Sequence, residues 1–275
     1  MIKVIDIDKL FDDYISDFVY KNIGKLKPEE IENKIPVLYV EFGSAKLKEL
    51  DGKSPEEYYD DFSSAELVEC LKEHLEKKVS VSDFLIESLQ KKPDAETVVS
   101  NALAVDNDEE FTLYLMNVAS NLNSSLSVDR YFEFICWDYA EPIKELATEI
   151  LCSFADKVKD KIVAQFNDFD DATKARFCEI LSNASKDDKV FEILVNQFIL
   201  NAKEIPLYAG YLAKYGDERA LPYLDTAIEN EKINYVDFEE LSFAIEALGG
   251  EVKVKRDFST DKIYKKIKEA SKNKN

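Results

Sequence analysis

Tyr211-Leu-Ala-Lys-Tyr-Gly216-Asp-Glu-Arg-Ala-Leu-Pro-Tyr-Leu224 reads as the end of one helix, a turn and the start of another. Gly216 stands where a helix closes in the left-handed conformation, which costs glycine little. Asp217 follows as a cap for the next helix and a complement to its dipole. Ala220, Leu221, Leu224, Ala227 and Ile228 then continue one apolar face. Pro222 lies too far from Asp217 to be a first helical residue. Either a tight turn precedes a helix starting near 222, or the first turn is bent. The next helix takes its stripe from Phe238, Leu241, Ile245 and Leu248 and ends at Gly249-Gly250 in the same manner.

Outward from this stretch the pattern repeats. The last large apolar residues of successive first helices are Leu151, Leu181, Leu212 and Leu248, at spacings of 30, 31 and 36 residues. Second helices are expected over Phe154 to Phe166, Asp187 to Leu200 and Arg219 to Glu229. One such pair cannot bury its apolar face alone, whereas stacked pairs can. The run from Tyr211 to Leu224 resembles the HEAT repeat, most of all its short bacterial form in phycobilisome-lyase-type proteins. There a first helix ends at Gly-Asp and x-Arg-Ala-Leu-Pro-x-Leu opens the second. The resemblance is specific over about residues 204–250, partial at the helix ending at Leu248, and periodic only over 141–200. It implies an all-α fold, a right-handed α-α superhelix of stacked pairs. Residues 141–250 are then HEAT-like repeats, 1–140 an irregular helical part, and 251–275 a basic capping helix and tail. Glu141-Pro142 is the expected boundary if there are two domains.

Composition agrees with helices. Seven Gly and seven Pro in 275 residues are too few for a sandwich or barrel, which needs a turn roughly every 8–12 residues. From Asp8, Leu10, Tyr14 and Phe18 mark an amphipathic helix with Ile15 and Val19 beside them. Ile35-Pro-Val-Leu-Tyr-Val40 is read as helix rather than strand, because no second strand-like run exists to pair with it. Ser54-Pro-Glu-Glu57 is a capping box with proline at the first helical position. Short helices follow near 64–77, 82–91, 94–104 and 108–122, each opened by serine or aspartate. Tyr131, Phe132, Phe134 and Trp137 are expected in the core, on a helix apolar around most of its circumference. The final Ser271 to Asn275 is expected to be disordered.

The net charge of -20 opposes binding to nucleic acid or an anionic membrane. It is uneven: residues 251–275 hold nine Lys/Arg and four Asp/Glu, so the body is more acidic than the total. Cys70, Cys136, Cys152 and Cys178 form no C-x-x-C, and the single histidine, His74, is expected on a helix surface. Cys70 and His74 can share a face, but two ligands do not close a zinc site. The N-terminus, with acids among its first residues, does not read as a signal peptide. A cytoplasmic protein follows.

No G-x-S-x-G, P-loop or G-x-G-x-x-G occurs, and neither acidic run, Asp106 to Glu110 or Asn167 to Asp171, supplies an EF-hand's glycine and final glutamate. Both runs are read as helix caps. The sequence therefore offers no catalytic residue, metal site or cofactor, and the expected function is a non-enzymatic scaffold or adaptor for a protein partner. Arg219, Tyr223 and Thr226 are the expected contacts, offered by the second helix of the best repeat. The alternatives are an acidic neutraliser of a basic protein, of the toxin-immunity kind, and a HEAT-fold enzyme.

Overall fold

A computed structural model describes residues 2–272, which are mostly helical with no strand among them. They fall into two compact units, divided between Arg130 and Tyr131. No helix among the described residues is long and apolar enough to cross a membrane.

The first unit contains α1 (Ile7–Asn22), α2 (Pro28–Glu32), α3 (Ile35–Ser44), α4 (Pro55–Tyr58), α5 (Ser64–Glu76), α6 (Asp83–Gln90), α7 (Ala95–Leu103) and α8 (Glu109–Asn121). Their starts follow local chemistry. Asp6 accepts from the Lys9 amide, Ser63 and Glu66 form a reciprocal box, and Asp108 accepts from the Phe111 amide. Asp94 departs from this scheme, since its carboxylate accepts from the Ser64 hydroxyl at 2.6 Å and makes no cap of α7. The helices α5 to α8 pack on one another around Leu67, Leu71, Leu85, Leu89 and Leu115. Helix α1 packs chiefly on α3, so Leu10, Tyr14, Ile15, Phe18 and Val19 are only half-buried. Phe11, Tyr14 and Phe84 gather around the fully buried Phe42. Ile35 to Val40 is helical, with Pro36 in the first turn.

His74 corrects the sequence expectation. It is completely buried. Its Nδ1 lies 2.8 Å from the Cys70 carbonyl oxygen, one turn earlier, and its Nε2 lies 3.2 Å from that of Ile5. The ring thus ties the extended lead-in, through Ile5, to α5. Ile2, Ile5 and Ile7 are buried with it, and the Tyr58 hydroxyl donates to the Lys3 carbonyl.

A further helix, α9 (Val128–Cys136), leads into the second unit. There follow α10 (Glu141–Ser153), α11 (Ala155–Gln165), α12 (Asp171–Leu181), α13 (Asp188–Leu200), α14 (Ile205–Tyr215), α15 (Leu221–Ile228), α16 (Tyr235–Ala247) and α17 (Lys262–Lys272). The first helices form a row: α10 packs on α12, α12 on α14 and α14 on α16. Leu151, Leu181, Leu212 and Leu248 are all buried along it, the last at 5% exposure. On the other layer α11 packs on α13, while α13 and α15 each lean on the row. Phe132 stacks on Phe177 at 5.6 Å, and Tyr131, Phe134 and Ile135 are buried. Trp137, expected with them in the core, is 65% exposed, because α9 ends at Cys136 and the chain turns away.

The turns bear out their local reading. Gly216 has φ +71° and its amide donates to the Leu212 carbonyl. Gly250 is needed for space, since a Cβ there would lie 2.7 Å from Leu221 Cδ2. Asp170 and Asp187 cap α12 and α13. The Pro222 question resolves as a 3₁₀ turn over Glu218–Ala220, followed by α15 with proline as its second residue. The expected disorder at Ser271 to Asn275 meets a helix that runs to Lys272; residues 273–275 lie outside those described.

His74→Ala removes a fully buried side chain and leaves the Ile5 carbonyl facing a void. It is expected to cost about 2–4 kcal/mol in urea unfolding. A loss within about 0.5 kcal/mol, the range of surface changes, would show that the lead-in is not held by this ring.

Candidate functional site

Helix α13 has 13 residues and α15 has 8. At 1.5 Å per residue, α15 is about 7.5 Å shorter. The deficit traces to sequence. The Gly216-Asp217 turn and the 3₁₀ segment occupy the positions where a longer α15 would begin, and Pro222 cannot stand deeper in a helix. Asn230 to Lys232 forms the next turn at its other end. The two helices are joined near their starts by Arg219, which reaches Asp188, the first residue of α13. Toward the end of α13 they do not close on each other, and an open groove of about 730 Å³ lies there.

The floor of the groove is apolar. Phe198 from α13, Ile205 from α14, Ala227 from α15 and Ile233 from the turn before α16 line it. Phe198, Ile205 and Ile233 retain 5%, 7% and 8% exposure, so they support the floor from the core, whereas Ile199 at its edge is 53% exposed. The rim is polar. Tyr223 is 41% exposed, and the Thr226 hydroxyl donates to the Pro222 carbonyl at 2.8 Å. Lys232 and Asp237 complete the rim. Asp237 belongs to a reciprocal cap of α16. Its amide donates to Asn234 Oδ1 and its carboxylate accepts from Asn234 Nδ2 at 2.9 Å. Burial holds the Asp237 carboxyl above the usual carboxylate range, against the opposing hydrogen bond from Asn234.

Two of the three sequence candidates, Tyr223 and Thr226, therefore share one groove. Arg219 lies outside it. Its guanidinium bonds Asp217 at 2.7 Å and Asp188 at 2.8 Å and covers the Phe191 ring at 4.3 Å. The floor residues escaped sequence reading because Phe198, Ile205 and Ala227 each belong to their own helix and Ile233 to a turn. The one available signal was the early Pro222, which shortens α15.

The groove can bind apolar matter and orient it by a few polar contacts. Its chemistry offers little else. Asp237 has no second carboxylate among the lining residues, and His74 sits in the other unit. Burial raises the thiols of Cys70 and Cys178 to about 12 and those of Cys136 and Cys152 to about 11, which keeps them protonated and poor nucleophiles. No protein-family model, curated protein or solved structure matches the chain.

The Asp217 carboxyl is held below the usual range first by its hydrogen bond from Arg219. A depressed folded-state pKa adds stability that is present above the unfolded pKa and lost as pH falls through the folded one. Arg219→Ala should move the Asp217 carboxyl titration, followed by NMR, upward toward its ordinary value. It should also shrink the acid-side loss of stability. An unmoved Asp217 would show that the pair does not form in solution.

Proposed function

We propose that residues 141–250 form a HEAT-like solenoid of stacked helix pairs and that the protein is a non-enzymatic, cytoplasmic scaffold for protein partners. Its docking site is the groove between the ends of α13 and α15. The observation that carries this reading is the combination of an apolar floor and a polar rim where the outer layer of helices thins. A floor of Phe, Ile and Ala with Tyr at the edge suits the apolar face of an amphipathic helix, one of the recurrent modes of peptide recognition. The row α10–α12–α14–α16 and the α11–α13 contact support the stacked-pair reading. Arg219 has a supporting part here: it fixes the start of α15 against α13, and Tyr223 and Thr226 meet the partner.

The test is selection of helical peptides from a display library on the full chain. Selected binders should lose at least about tenfold in affinity, about 1.4 kcal/mol, on a Thr226→Arg chain and also weaken on Tyr223→Ala. Thr226 is exposed and bonds only to its own helix, so Thr226→Arg should retain the wild-type unfolding midpoint. Binders that hold equally to the Thr226→Arg chain would place recognition elsewhere.

A further inference from the structure

We infer that the groove of one copy takes helix α17 of a second copy, an inference that rests on reading the groove as a helix-docking site. Two independent features of the chain meet in it. Of the helices beside the groove, α15 and α16 carry acids and no bases, with Asp225 on α15 and Asp237, Glu239, Glu240 and Glu246 on α16, while α13 sets Lys189 beside Asp188 and Glu192, and α14 carries Lys214. Glu229 and Glu231 follow α15, and Lys232 is the one base on the rim. Helix α17 is the opposite, with Lys262, Lys265, Lys266, Lys268 and Lys272 against Glu269 alone.

The apolar chemistry matches too. Ile263 and Ile267 stand four residues apart on one face of α17, flanked by the lysines. Helix α17 packs chiefly on α16, where Tyr264 meets Tyr235 at 5.0 Å and Asp261 accepts from the Tyr235 amide. That seat leaves Ile263 43% and Ile267 47% exposed. The stripe is thus half-exposed, and it offers a pair of i, i+4 anchors suited to a floor of Phe198, Ile205 and Ile233. The Asp237 carboxyl, on the groove rim and raised by burial, is a group whose charged form a nearby cation favours. Groove and α17 are different surfaces, so the contact is head-to-tail. One helix in one groove is a small interface, which makes the association weak, reversible and weaker in high salt.

The experiment is sedimentation of the full chain from about 10 μM to about 1 mM, the range of weak complexes. The weight-average mass should rise above the 31.5 kDa of one chain as concentration increases, and fall back at high salt. Two variants separate the surfaces. Ile263→Asp with Ile267→Asp disables the helix, and Thr226→Arg disables the groove. Each alone should remain monomeric. Mixed together they should form a one-to-one complex and nothing larger, because one supplies the groove and the other the helix. A wild-type chain that stays monomeric throughout, or a mixture that does not associate, overturns the inference. If library-selected helices still bind the wild-type groove in that case, the docking site stands and only self-association is lost. If they do not, both readings fall together.

Discussion

The second unit depends on the burial of one seam of leucines. A helix with an apolar stripe on one side must cover that stripe, and a pair of short helices exposes more of it than the pair can hide. Leu151, Leu181, Leu212 and Leu248 stand at or near the ends of α10, α12, α14 and α16, which pack in a row, and all four are buried. The turns answer to this requirement. Gly216 allows α14 to stop at Tyr215, whose hydroxyl then accepts from the Asp187 amide and donates to the Asp187 carbonyl, fixing the start of α13. Gly250 lets the chain pass Leu221 and Ile245 where any Cβ would collide.

The outer layer is less constrained, and there the unit departs from regularity. Helix α15 gives up its first turn to the segment that carries Asp217 and Arg219, and Pro222 forbids an earlier start. Arg219 compensates by tying that segment to Asp188 and Phe191. The far end of α13 keeps no such neighbour. Ile199 and Leu200 are exposed there, and Phe198 supports the groove floor from the core. The site is thus a consequence of a helix start, since the same proline and turn that define α15 open the space beside it.

Local chemistry made much of this legible. Ser54, Ser63, Ser82, Asp108, Asp170 and Asp187 open helices as their side chains dictate, and Gly216 and Gly249 close them with positive φ. What failed was what depended on distant chain. The burial of His74 is set by Ile5, 69 residues away, and nothing in Glu73-His74-Leu75-Glu76 announces it. Asp94 has the form of a cap, but Ser64, 30 residues earlier, takes its carboxylate. Trp137 shares an aromatic run with Phe132 and Phe134, yet falls one residue beyond the helix that buries them. Within the site, the exposed Tyr223 and Thr226 were readable from the helix face. The floor was not, because Phe198, Ile205 and Ile233 come from three elements whose meeting is tertiary.

We propose above that the groove accepts the apolar face of a basic amphipathic helix. Isoleucine-methyl NMR of the full chain, titrated with a peptide of residues 258–272, addresses it most directly. The methyl signals of Ile199, Ile205 and Ile233 are expected to shift together and saturably, while those of Ile143 and Ile162, buried elsewhere in the same unit, stay in place. Saturable shifts confined to other isoleucines, or none at all, would contradict it.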